Sequence, residues 1–342
     1  MITTVECPLF RRFPALEETL PKIDLCGGPS PVRRLDSLSR HLGVSDLWIK
    51  NDGLLGTVYG GNKVRKLEFV LADAVRRGSS HVVTFGATGS HHCLATAIYA
   101  PRLGMHVSMS LLEQPMTDEV ERNLEALSLY GARVVRASSL PMTVLKSVLT
   151  AASAVRPGLP PSLPYVILVG ASTPRGCVGY VNAAFELQNQ IENGELPKPE
   201  SIIVPLGSNG TAAGLLLGLR LAGLDTRLVA VQVSHLPGVG RRGVARLAHR
   251  TADFLRKHGA SIEPGRFGPL ALNTITDSET EQYGHPTQSG REAKRLMSEI
   301  EGVELDLTYT AKTVAQLIAN DDLPRPVLYW HTLNAHPLPK AV

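Results

Sequence analysis

From residue 63 onward, short apolar runs alternate with amphipathic stretches of helical length. That alternation confines the chain to an α/β architecture built on parallel strands. "NKVRKLEFVLADAVRRG" places Val64, Leu67, Val70, Leu71, Ala74 and Val75 at helical spacing and stops at Gly78. "HVVTFG" (81–86) reads as a strand, 91–102 as a helix and "MHVSMSLL" (105–112) as a strand. "TDEVERNLEALSLYG" opens on Thr117 and acids and closes on Gly131, which is the capping pattern of a helix. "ARVVRAS" predicts another strand, 141–155 a helix, and "RPGLPPSLP" a proline-rich linker. A second series follows, with strands at 165–170, 201–207 and 227–234 and helices at about 176–193, 211–222 and 240–258. Two such series predict two lobes, each a mostly parallel sheet flanked by helices, with a cleft between them.

A chain of 342 residues has ample length for two lobes. Its net charge of +4 comes from interspersed charges, with "RRGVARLAHR" (241–250) the densest basic stretch, so no nucleic-acid partner is expected. Cys7, Cys26, Cys93 and Cys177 lie far apart with no C-x-x-C pair, which argues against a disulfide framework or zinc cluster. No run of 18 apolar residues occurs, so no membrane partner is expected and a soluble cytoplasmic protein is.

Three segments invite a ligand. "VYGGNKVRKLEF" puts Lys63 behind Gly60, Gly61 and Asn62 at the mouth of a helix, where a solvated lysine has no need of glycines. "PLGSNGTAAG" (205–214) is a strand, a Gly/Ser/Asn/Thr turn and a helix start, a geometry that offers backbone N–H groups to a phosphate. It contains neither G-K-[ST] nor G-x-G-x-x-G, which disfavours a Walker loop or a dinucleotide. "FGATGSHHCLATA" (85–97) is a third such junction, with Ser90, His91 and His92 at the helix mouth. Adjacent residues on a helix diverge by about 100°. No acid stands at ligand spacing from His91-His92-Cys93, so no metal is expected there.

A lysine at one helix mouth and a phosphate turn at another suit pyridoxal 5'-phosphate. "GGNKVRKLEF" resembles the G-G-N-K-x-R-K-L-E segment of the family holding aminocyclopropane-carboxylate deaminase and D-cysteine desulfhydrase, within the tryptophan synthase β-like (fold type II) enzymes. "PSPVRRLDSLSRHLGVSDLWIKND", "GASTPRGCVGYVNAAFEL" (170–187), "QYGHPT" (282–287), "LTYTAK" (307–312) and "VLYWHT" (327–332) are similar to further family segments in order.

The resemblance implies a large lobe of residues 1–63 and 165–342, a small inserted lobe of 64–164, and a homodimer. It puts Lys63 on the Schiff-base lysine, preceded by Asn62, and Ser90 on a serine near the substrate. Ser208, Asn209, Gly210 and Thr211 fall on the phosphate turn, and Tyr283 and Tyr309 on two tyrosines near the substrate. Thr310 falls where a residue faces the pyridine nitrogen, and Thr332 beside the ring. Arg65, Lys66 and Glu68 are read as parts of the helix and its ion pairs.

The deaminase resembles this chain but has a glutamate and a leucine at the positions of Thr310 and Thr332. A neutral hydroxyl makes a weaker electron sink than a protonated ring, which suits β-elimination from a small amino acid better than opening a cyclopropane. The implied chemistry is therefore β-elimination from D-cysteine or a related substrate, with Lys63 as general base. The alternatives are the deaminase reaction and a non-catalytic cofactor binder. Three departures bear on the substrate. His91 replaces an asparagine that bonds the cofactor's phenolic oxygen and is expected to bond it through a ring N–H or, instead, to reach an anionic substrate group; Leu333-Asn334 replaces a glycine pair, and Arg175 replaces an apolar residue. They suggest a larger or acidic β-substituent, such as that of cysteate.

Overall fold

The structure, a computed structural model, describes residues 7–153, 163–263, 272–276 and 283–338. Among the described residues, ten strands form two sheets. They are β1 (Val32–Arg34), β2 (Leu47–Asn51), β3 (His81–Ala87), β4 (His106–Leu112), β5 (Arg133–Ala137), β6 (Tyr165–Ile167), β7 (Ser201–Leu206), β8 (Arg227–Gln232), β9 (Leu272–Thr276) and β10 (Val327–His331). The larger sheet has the order β1-β2-β10-β7-β8-β9 and the smaller β5-β4-β3-β6. Every pairing is parallel except β1 with β2. The α/β class with parallel sheets flanked by helices is thus as the alternation predicts.

The larger sheet carries apolar residues on both faces. Along β7, Ile202, Val204 and Leu206 join one core with helices Pro174–Glu192, Gly210–Leu221 and Arg241–Lys257. Ile203 joins the opposite core with helices Gln288–Glu301 and Thr310–Ala319. The period of two divides the strand between two helical layers. A third core, including Val82, Val107 and Leu111, lies around the smaller sheet.

Local signals placed many boundaries closely. Helix His91–Arg102 matches its expected span. Thr117 caps Asp118–Leu129 by accepting from the Val120 N–H at 3.3 Å, and Gly131 sits at φ +68°. The strand expected over 165–170 stops at Ile167, because Gly170 turns left-handed at φ +62° inside a short helical turn, Val169–Ala171. β6 pairs with β3, so residues 165–167 belong to the smaller sheet. Most of the proline-rich linker and Gln282 lie outside the described residues. Strands β1, β2, β9 and β10 and helices Asp36–Leu42, Gln288–Glu301 and Thr310–Ala319 were not among the expected elements.

Candidate active site

The sheets meet at an open cleft of about 1170 Å³, its solvent-facing mouth included. Its walls come from the mouths of three helices, Asn62–Arg76, His91–Arg102 and Gly210–Leu221, together with Tyr283, the 306–309 turn and the end of β10.

The two glycines before Lys63 let the chain pass at close quarters. A Cβ on Gly60 would stand 2.0 Å from the Gly53 carbonyl oxygen, and one on Gly61 (φ +87°) 2.6 Å from that of Thr332. Gly61 N–H donates to Asp52 O at 2.7 Å and Asn62 N–H to Thr332 O at 3.1 Å, which fixes where the helix begins. Lys63 therefore enters the cleft, where its ammonium makes no hydrogen bond or ion pair with any described residue. Burial, and then Lys66 one turn on, hold its pKa well below the ordinary lysine value, against a weaker upward pull from Asp306. A lysine depressed in this way is a nucleophile and a base near neutral pH.

Lys66 is fully buried, yet it pairs with no acid among the described residues. Its Nζ donates to Gly170 O at 3.1 Å and would lie 2.8 Å from a Cβ on Gly210, so it stands at the mouth of helix Gly210–Leu221. Burial presses its pKa down to about 8. Around that mouth, Ser172 and Ser208 share a hydrogen bond (Oγ–Oγ 2.9 Å), and Thr211 Oγ1 accepts from Asn62 Nδ2 at 3.2 Å. Asn209 is left-handed (φ +65°), and its side chain is tied to the neighbouring loop through Gly238 O (2.8 Å) and the Gly240 N–H (3.1 Å). A helix N-terminus, three hydroxyls and a buried cation suit a phosphate. One cleft thus holds an unpaired amine and a phosphate cradle, the two things pyridoxal phosphate requires.

Residues 23–332 match the family described as Pyridoxal-phosphate dependent enzyme. The chain belongs to that family. It is 35% identical over 325 residues to a D-cysteine desulfhydrase of Yersinia pestis (strain Pestoides F), covering 91% of this chain and 93% of that one. A D-cysteine desulfhydrase of Salmonella newport (strain SL254) is 35% identical over 332 residues, with the same coverage. A crystal structure of an ACC deaminase homologue superposes with a TM-score of 0.79 at 29% identity, over 96% of this chain and 95% of that one. A pyridoxal 5'-phosphate-dependent aspartate racemase shares the fold, with a TM-score of 0.62 at 16% identity over 91% of this chain and 92% of that one. The cofactor of this pyridoxal-phosphate enzyme is pyridoxal 5'-phosphate.

Of the residues expected at the site, Asn62, Lys63, Ser90, His91, Ser208, Asn209, Thr211, Tyr283, Tyr309 and Thr332 lie on the cleft wall. Gly210 and Thr310 do not. Thr310 is fully buried, and its hydroxyl donates to Asp306 Oδ2 at 2.6 Å. The group that reaches the wall is Asp306, whose oxygens also accept from the N–H groups of Thr308, Tyr309 and Thr310. Ser90 Oγ caps its helix, accepting from Cys93 N–H at 3.3 Å. The Tyr283 and Tyr309 hydroxyls are hydrogen-bonded to each other, and burial raises both their pKa values, keeping them protonated donors.

His91 is placed differently from its expected role. Nδ1 meets Tyr59 Oη at 3.0 Å and Nε2 meets Glu119 Oε1 at 2.8 Å, so neither nitrogen is free for a cofactor oxygen or an anionic substrate. Burial opposes the imidazolium, but the hydrogen bond and charge of Glu119, with the charge of Asp306, together outweigh it and the pKa lies above the usual value. His91, Glu119 and Asp306 bring three potential metal donors within 4.8 Å of one another, so acids do stand beside His91, contrary to the spacing argument. Asp306 already accepts from four donors and Glu119 Oε1 is taken by His91, which leaves the trio poorly suited to a cation.

Arg175 is not on the wall. Its Nη2 lies 3.2 Å from Asp73, and its guanidinium 5.0 Å from the Phe254 ring centroid. Leu333 lines the cleft, while Asn334 Oδ1 accepts from Gly60 N–H at 2.6 Å and helps seat the glycine pair. Arg65 and Glu68 do form ion pairs, but with partners distant in sequence: Arg65 with Asp52 and Glu186, and Glu68 with Lys22. Lys66 was read as another helix charge. Its spacing from Lys63 (i, i+3) was the available signal that both share a face.

Proposed function

We propose that this chain is a carbon–sulfur lyase of the D-cysteine desulfhydrase kind. It would eliminate the β-substituent of D-cysteine or a related β-substituted amino acid and yield pyruvate, ammonia and sulfide or another leaving group. The observation that carries the reading is Lys63, a half-buried amine with a depressed pKa and no partner among the described residues, in a cleft whose far end is a phosphate cradle. When bound, pyridoxal phosphate supplies the electron sink that makes an α-proton acidic. Lys63 holds the cofactor, and its amine, kept unprotonated near neutral pH by burial and Lys66, takes the α-proton. Asn62, Lys66, Ser172, Ser208 and Thr211 orient the phosphate end. Tyr309, kept protonated and hydrogen-bonded to Tyr283, is the donor for the departing sulfur. Ser90, at the mouth of helix His91–Arg102, positions the substrate, and Thr332 borders the ring.

Asp306 favours a second reading, the ACC deaminase reaction, because it brings a carboxylate to the wall. Its four accepted hydrogen bonds weigh against that role. The reconstituted protein is expected to release pyruvate and sulfide from D-cysteine and no 2-oxobutyrate from 1-aminocyclopropane-1-carboxylate. Lys63→Ala should cost about 10³-fold or more in kcat and remove the visible absorption band of the bound cofactor. A wild type that makes only 2-oxobutyrate would establish the second reading instead.

We propose further that the two sheets mark two lobes, 1–63 with 165–342 and 64–164, except that 165–167, paired with β3, go with the smaller, and that the protein is a homodimer, the commonest closed assembly. A cytoplasmic setting suits its four free cysteines, and no helix among the described residues is long and apolar enough to cross a membrane.

A further inference from the structure

The cleft continues beyond Lys63 over the carboxyl end of the smaller sheet. There its wall is made by Phe85 and Ala87 of β3, Leu112 of β4, Thr143 of helix Leu140–Ser153, and Val169. None of these is charged. Thr143, 1% exposed, donates its hydroxyl to Ser139 O at 2.9 Å, so that group is already used within the helix.

Beside Thr143, the polar side chain that borders this part of the wall is His92, 1% exposed. The Thr84 hydroxyl donates to Ile167 O at 2.9 Å, so its oxygen accepts from His92 Nε2–H, also at 2.9 Å. That assignment fixes the tautomer. Nδ1 is left as a bare acceptor, buried and without a partner among the described residues. Burial, then Lys63 and Lys66, press the His92 pKa well below its usual value, so the ring stays neutral. A lone pair and an apolar lining repel an anion and leave its desolvation uncompensated.

The cations that might have received an acidic substituent are occupied elsewhere. Arg175 is paired with Asp73 and His91 with Glu119, while Lys66 serves the phosphate cradle.

We propose that the preferred substrate carries a neutral, largely apolar β-substituent on sulfur, as in an S-aryl or S-alkyl cysteine, and that β-sulfonates and β-carboxylates are turned away. The proposal rests on the lyase reading and specifies its leaving group. Elimination breaks Cα–H and Cβ–S. The α-proton goes to the Lys63 amine and the C–H pair becomes the Cα–Cβ double bond. Sulfur departs with the Cβ–S pair, takes one proton and leaves as a thiol. The remaining 2-aminoacrylate takes up one water and yields pyruvate and ammonium.

The test uses the holoenzyme and has a binding arm and a turnover arm. Calorimetry compares D-homophenylalanine, in which carbon replaces sulfur and no thiol can leave, with the anionic D-2-aminoadipate. The aromatic ligand is expected to bind at least about tenfold tighter. In turnover, S-phenyl-D-cysteine is expected to exceed D-cysteate in kcat/KM by about tenfold or more. Both arms are repeated with L-enantiomers, and the preference is read in the handedness that is turned over. Thr143→Arg and, separately, Leu112→Arg place a cation on this wall and should each shift the ratio toward the anionic ligand by about tenfold. Equal or reversed affinities in the wild type would overturn the proposal, as would D-cysteine turnover without thioether turnover. If no amino acid gives pyruvate while the aromatic ligand still binds tighter, the lyase reading fails and the cleft's preference stands.

Discussion

Lys63 and Lys66 occupy one face of one helix, both with depressed pKa values and neither paired with an acid. The unfolded chain holds these protons to about pH 10.4. In the fold Lys66 releases its proton at about 8, and Lys63 too is well below its ordinary value. At neutral pH the folded state therefore bears a penalty for the Lys66 charge, and the penalty lifts as pH rises from about 8 toward 10.4. Lys66→Met is accordingly expected to stabilise the cofactor-free protein at pH 7, and its advantage over wild type in urea midpoint should shrink by pH 10. The same variant should bind pyridoxal phosphate more weakly, because a buried cation leaves the phosphate cradle. A variant no more stable than wild type at pH 7 would show that Lys66 is compensated in solution. The glycine pair and Lys63 were legible at this scale, being contiguous in the chain. Asp306 in place of Thr310, and Glu119 behind His91, were not.

Two helices set the position of those lysines. On helix Pro174–Glu192, a Cβ at Gly179 would lie 2.1 Å from Arg65 O and 3.0 Å from Lys66 N, so the two backbones cross in contact. The crossing is clamped by Arg65, which reaches both Glu186 oxygens at 2.8 Å and Asp52 at 2.9 Å, all of them buried. Gly179→Ala must separate the helices and is expected to cost about 1–3 kcal/mol or more of stability. It should also loosen cofactor binding, because the displaced segment carries Lys63 and Lys66. Chemical denaturation and a cofactor titration read the two effects, and an unchanged cofactor affinity would show that the shift is absorbed elsewhere. Helix His91–Arg102 and helix Asp118–Leu129 were legible because caps and glycine stops are local. Strands β2 and β10 were not distinguished, although β10 pairs with both β2 and β7 at the centre of the larger sheet. A short apolar run has the same appearance in a strand as in a buried helix.

At the scale of the molecule, both sheets contribute to the cleft wall: Lys63 and Ser208 at the larger sheet's side, Ser90 and His91 at the smaller's. A ligand that binds only the folded state adds about 2.7 kcal/mol at a hundredfold excess over its Kd. Pyridoxal phosphate at that concentration is expected to raise the melting temperature by several degrees, and Lys63→Ala to lose most of the increase. Equal shifts in both proteins would mean that the covalent link contributes little to affinity.

Local order along the chain was enough to establish an α/β protein and a lysine presented at a helix mouth. Strand and helix periods, caps and glycine pairs act between near neighbours, and those interactions do not depend on the rest of the fold. Tertiary packing alone decided that Lys66 meets the Gly210 turn, that Glu119 holds His91, that Arg175 turns to Asp73 and that Thr84 leaves one nitrogen of His92 bare. Except for the Thr84–His92 bond, itself fixed by Ile167, each of those outcomes joins groups far apart in sequence, and only the close packing of helices on the two sheets sets their distance.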